Sequence, residues 1–165
     1  YKNSAQYQQY WPLTRKYTFA LNTELGLGGG LSGNDYPIFK NFYSGGLGSV
    51  RGFQQNSLQT NTTYERFNHE YATGGAKKVL INTEFLMPFP GVGTDKTLRL
   101  YTFFDLGNVY TDQEAIDLGQ LRSSAGVGLS WISPVGPLRL AVARPVRQFD
   151  NDRIQSFQFQ IGTSF

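Results

Sequence analysis

Within the alternating stretches of this chain the charged residues keep to one parity, and that constrains the fold more than any other feature. Successive side chains of a strand face opposite sides. In 17–28, Tyr17, Phe19, Leu21, Leu25 and Leu27 share one face, and Thr18, Ala20, Asn22, Glu24 and Gly26 share the other. In 77–88, Val79, Ile81, Phe85 and Met87 oppose Asn82 and Glu84. In 97–110, Leu98, Leu100, Phe104 and Leu106 oppose Arg99, Tyr101, Phe103 and Asp105. In 121–132, Ala125, Val127, Leu129 and Trp131 oppose Arg122, Ser124, Gly126, Gly128 and Ser130, and in 137–146, Leu138, Leu140 and Val142 oppose Arg139. Glu24, Glu84, Arg99, Asp105, Arg122 and Arg139 therefore all lie on the polar side of their segments. A charge on the lipid face of a membrane strand costs about 2–4 kcal/mol near the midplane, and such a penalty selects this pattern. Arg144 breaks the parity, but it precedes Pro145 and is expected near a rim, where the cost is small.

Two further segments, 153–165 and a weaker one at 1–11, bring the number to seven. Turn signals separate them at 12–16, 89–96, 111–119, 133–137 and 148–152. The strands are long for a soluble sandwich and suit a tilted bilayer crossing, which needs about 9–11 residues. Glycine (19 residues) and aromatics (15%) are abundant and charge is low (16%), a composition that fits all-β architectures including membrane barrels. A mean hydropathy of -0.36 is no objection, because alternating strands average out polar. A half-buried soluble sheet would alternate in the same way. Strand length favours the membrane, as do the aromatics near segment ends, Trp11, Tyr17, Tyr110, Trp131 and Phe165. Residues 29–76 fit no strand and are expected to form one long extracellular loop, folded toward the lumen. The fold class is thus all-β, an antiparallel transmembrane barrel portion of about seven strands.

Several function classes find little support. A net charge of +3, evenly spread, does not suggest a nucleic-acid surface. The absence of cysteine excludes disulfide scaffolds and thiolate metal sites. Gly28-Gly29-Gly30-Leu31-Ser32-Gly33 matches G-x-G-x-x-G, but no helix follows, so it reads as a flexible loop and no cofactor is expected. His69 is the sole histidine and reads as a solvated loop residue, and no metal site is expected. Glu84 and Asp105, on neighbouring segments and the same face, admit two readings: a general acid/base pair, or a seat for a cation such as an arginine from the long loop.

Four stretches in order carry a family resemblance. Asn41 to Phe53, with Val50-Arg51-Gly52-Phe53 at its core, resembles the loop signature of the outer-membrane assembly-factor superfamily. Leu80 to Pro88 resembles the strand after that loop, and Phe103 to Tyr110 the aromatic-x-Asp-x-Gly strand. Trp131 to Pro137 and Phe157 to Phe165 are similar to the tail of the bacterial assembly-factor branch, rather than to its translocation-assembly relative or the two-partner secretion transporters.

The resemblance implies roles. The loop folds back into the barrel, Arg51 pairs with Glu84 and Asp105, Gly52 lets the backbone approach the wall, and Phe53 packs inside. The last strand, with Phe157, Phe159, Ile161 and Phe165 on one parity and Gly162 loosening its packing, meets the first strand at a weak seam. Incoming strands pair there, and no catalytic residue is involved. The implied partners are unfolded barrel clients, outer-membrane lipids and lipopolysaccharide, and accessory lipoproteins recruited by periplasmic domains, with no nucleic acid. The family's barrels have about twice as many strands, and closed barrels tolerate no open edge. The chain, which starts at Tyr1 without an initiating Met or signal peptide, is therefore expected to be the C-terminal part of a barrel, lacking the periplasmic domains and the first strands. A passive pore or secretion translocator is the alternative function, and a hydrolase using Glu84, Asp105 or His69 is a more distant one.

Overall fold

The computed structural model describes residues 1–30, 36–59, 73–91, 97–134 and 136–162. Seven strands form one antiparallel sheet in the order β1-β2-β4-β5-β6-β7-β9. They are β1 (Lys2–Pro12), β2 (Thr18–Gly28), β4 (Lys77–Pro88), β5 (Leu98–Tyr110), β6 (Arg122–Ser133), β7 (Gly136–Arg147) and β9 (Phe157–Ile161). A separate two-stranded ribbon joins β3 (Gly52–Phe53) to β8 (Ile154–Gln155). Among the described residues no helix is long and apolar enough to cross a membrane. Short turns close one end of the sheet. At the first, the Thr14 hydroxyl accepts from the Lys16 and Tyr17 amides, and at Ser133–Gly136 the Ser133 hydroxyl donates to the Gly136 carbonyl at 2.6 Å. The long connections gather at the other end.

Burial decides between the two architectures that share the alternation. A soluble half-buried sheet packs its apolar parity against a core. Here that parity faces out: Leu25, Val127, Val142 and Phe159 are 44%, 55%, 55% and 64% exposed. The opposite parity is covered, with Ala20, Asn82, Asp105, Ser124, Ala141 and Ala143 all buried. An apolar outer band over a polar interior is the arrangement of a membrane barrel. Toward the short-turn end, Trp11 lies against Phe19 and Tyr17 stacks on Phe85, each with ring centroids 5.7 Å apart. These rings form part of an interfacial aromatic girdle.

The core lies between the inner wall and the returning loop. Val50, Phe53 and Leu58 from the loop close on Leu80 of β4, and Tyr101, Phe103, Ala141 and Ala143 form a second cluster with Leu47 packed on it. Burying each large apolar side chain contributes about 1.5–3 kcal/mol. Gly126 and Gly128 of β6 lie opposite Phe103 and Tyr101, whose rings occupy the space that a β-carbon at either glycine would need.

Two expectations need correction. The segment 153–165 is not one strand. It divides at Ser156, because Ile154 and Gln155 leave β7 to pair with Phe53 and Gly52, and among the described residues only Phe157 to Ile161 continue the sheet. The stretch 29–76 is not without strand either: it supplies β3 and an isolated bridge between Phe42 and Gly75. Backbone groups that the returning loop covers are driven to pair, as at buried Gly52 and Phe53. Arg144 is exposed on the outer parity, three residues from the end of β7. His69, Phe165 and part of the 28–33 glycine motif lie outside the described residues.

Candidate functional site: the lumen loop and its anchor

The tip of the loop is a compact turn before it is an anchor. The Gly46 amide donates to the Val50 carbonyl at 3.1 Å, the Leu58 amide to the Ser44 carbonyl at 3.0 Å, and the Ser44 and Ser49 hydroxyls are 2.8 Å apart. This presents Arg51 to the wall, 2% exposed. Its Nε and Nη2 donate to the two oxygens of Asp105 at 2.7 and 2.6 Å, a bidentate fork, and its own amide adds a third bond at 3.0 Å. Nη1 donates to Glu84. The guanidinium also lies 3.7 Å from the centre of the Phe103 ring. Burial disfavours the charge on Arg51, but the bonds to Asp105 and the two carboxylates outweigh it, so its pKa is raised and it stays a cation.

The wall completes both carboxylates. Asn82 donates to Asp105 at 2.9 Å and to the Ser49 carbonyl at 2.7 Å, and Arg139 reaches Glu84 at 2.9 Å. Side-chain amides extend the row sideways, Gln6 to Asn22 at 2.9 Å and Asn22 to Asn82 at 3.1 Å. Glu84 also borders a polar cavity of about 140 Å³ with Gln6, Gln8, Asn22 and Arg139. Other inward charges pair as well, Lys78 with Glu24 at 2.7 Å and Arg122 with Asp152 at 3.1 Å.

Gly52 has φ +87°, a region L side chains rarely adopt, and a β-carbon there would stand 3.0 Å from that of Ala143. Phe53 is fully buried. Gln158 of β9 donates to the Phe53 carbonyl at 2.7 Å and accepts from the Gly52 amide at 3.3 Å. Val50, Arg51, Gly52, Phe53, Glu84 and Asp105 thus converge in the lumen. Phe157, Phe159 and Ile161 do not join them; they lie on the outer face, 56%, 64% and 62% exposed. Gly162 follows with φ +89° and donates to the Pro137 carbonyl at 2.8 Å. Sequence reasoning gave no part to Asn82, Arg139 or Gln158. Parity placed the first two inside, and the alternation Phe157-Gln158-Phe159-Gln160 does the same for Gln158, but nothing local names their partners. Among the described residues no three His, Cys, Asp or Glu side chains come together to hold a metal.

A family profile described as the Omp85 superfamily domain matches residues 1–165. The chain belongs to the Omp85 superfamily. It is 36% identical, over 98% of its length, to the outer membrane protein assembly factor BamA of Neisseria meningitidis serogroup B. It is 30% identical, over 78% of its length, to the sorting assembly machinery 50 kDa subunit of Saccharomyces cerevisiae. The fold matches the crystal structure of BamA from Haemophilus ducreyi lacking POTRA domains 1-3, with a TM-score of 0.84, 28% identity and 96% of this chain covered. The chain spans 24% of the Neisseria protein, 27% of the yeast one and 34% of the Haemophilus chain. As a member of this superfamily with an apolar outer band, it is an outer-membrane β-barrel chain.

Proposed function

We propose that this chain is the C-terminal barrel portion of an assembly factor that folds and inserts β-barrel proteins into the outer membrane, through strand pairing at a seam beside β9. The observation that carries the reading is a lumen filled by an ion-paired loop, in a chain similar along 98% of its length to a protein named as such a factor. β9 lies at the edge of the sheet. In lipid an unpaired strand edge costs several kcal/mol per polar group, so an incoming strand that satisfies it is bound without nucleotide or covalent chemistry. Arg51 pins the loop and braces the wall, and Glu84 and Asp105 serve as its seat. Both carboxylates are engaged by arginine, which argues against their use as an acid/base pair. The partners of this activity are unfolded barrel clients, the lipids and lipopolysaccharide around the outer band, and accessory Bam lipoproteins bound through periplasmic domains outside this chain.

The test uses the full-length protein in proteoliposomes with an unfolded barrel client and a photo-crosslinker at Phe159. Client that becomes protease-protected and crosslinks to β9 supports the reading. Solute flux without client insertion would point to a passive pore. Insertion without any crosslink at β9 would leave the assembly role and remove the seam.

A further inference from the structure

We infer that Gln158 is a positioning residue that clamps the loop tip to the last strand, so that loop release and loosening of the seam edge are one coupled event. This rests on the proposed role of β9. β7 runs from Gly136 to Arg147, yet β9 pairs with it only from Leu138↔Ile161 to Val142↔Phe157. Ser156 still accepts from the Ala143 amide at 2.8 Å, and beyond it the chain turns to the loop, where β8 pairs with β3 and the Gln54 amide donates to the Arg153 carbonyl at 2.8 Å. Gln158 lies two residues inside that branch point, 5% exposed. Its amide gives one hydrogen bond to the loop backbone and takes another from it, at the two residues that follow Arg51. An amide side chain that both donates and accepts copies the pairing of a neighbouring strand. Asp105 and Glu84 fix Arg51 to β5 and β4. The position of β9 is thereby referred to β5 and β4, three and four strands away in the sheet, as well as to β7 beside it. Coupling of this kind is reciprocal: whatever frees the loop must loosen β9, and the converse.

Hydrogen–deuterium exchange on the full-length protein in lipid nanodiscs tests this in segments 50–55 and 157–161. Gln158→Leu keeps the volume and removes both bonds. Gln158→Glu keeps the length and the acceptor but loses the donor. Exchange in 50–55 is expected to rise about tenfold for Leu, the effect of losing roughly 1.4 kcal/mol of protection, and at least part of the way for Glu. Arg51→Ala, although it removes no atom bonded to β9, is expected to raise exchange in 157–161 beyond the barrel-wide rise read in 2–12. A rise in 157–161 of Arg51→Ala no larger than that in 2–12, or wild-type exchange in 50–55 of both Gln158 variants, overturns the clamp. If Gln158→Leu does not assemble, the Glu and Arg51 variants still decide. Client insertion by the wild-type protein is measured in parallel; its absence would sink the proposed function while leaving the exchange coupling readable.

Discussion

The two faces of the sheet use one alternation for opposite ends. The outer face is apolar and open, with Val127 and Val142 each 55% exposed; the inner face carries the charges and is covered, with Asp105 at 0% and Arg51 at 2%. In a soluble protein burial and hydrophobicity go together. Here they separate, because the outer solvent is lipid and the inner face is filled by the chain itself. The lesson is that a polar wall needs its own partners. Each inward carboxylate named above has a cation or an amide within hydrogen-bond reach, and the loop supplies the most buried of these cations.

Substitutions that cross or spare this divide should order themselves accordingly. The largest effect is expected of Arg51→Ala, which leaves buried Asp105 without a cation and Glu84 with Arg139 alone, and should destabilise the barrel by about 3–5 kcal/mol. Urea titration of the full-length protein in bilayers reads it, and Arg51→Lys should rescue little, because an ammonium lacks the fork. A loss below about 1 kcal/mol would mean that water reaches Asp105. Next comes Val127→Arg, midway along the outer face of β6, at about 2–4 kcal/mol. The same arginine at Gln6, on the inner parity of β1, should change stability by no more than about 0.5 kcal/mol. Equal costs at the two positions in that titration would contradict the assignment of faces. Gly52→Ala should cost about 1–3 kcal/mol from its left-handed backbone, and proteolysis at the loop should accelerate. The smallest effect expected of breaking an ion pair is that of Glu24→Gln, whose pair with Lys78 is partly exposed, at about 0–1 kcal/mol. A melting shift comparable to that of Arg51→Ala would show that the lumen is drier there than burial suggests.

The wall was legible because alternation is a local property. The expected segments 17–28, 77–88, 97–110, 121–132 and 137–146 meet Thr18–Gly28, Lys77–Pro88, Leu98–Tyr110, Arg122–Ser133 and Gly136–Arg147 to within one residue at each end. The weak segment at 1–11 became a strand of eleven residues, because pairing along the whole of β2 compensates for its poor pattern. The loop was legible as a loop from its lack of alternation, but the residue at its anchor was named only through family resemblance. Nothing in the composition of 29–76 says that Gly52 and Phe53 will pair with Gln155 and Ile154. The split of the last segment was hidden for the same reason, since Ser156 interrupts no periodicity. Gln158 looked like one more polar residue between aromatics, and only the position of the loop gives its amide two partners.

The contacts at the loop tip span long stretches of chain: 33 residues from Arg51 to Glu84, 54 to Asp105 and 105 from Phe53 to Gln158. Closing such loops is entropically costly until the partners are already in place. The arginine therefore has no seat until β4 and β5 have paired, and the amide clamp has none until the last strand has been laid down. Docking of the tip is a late event in the maturation of this barrel, and a docked tip records that the wall behind it was built in register.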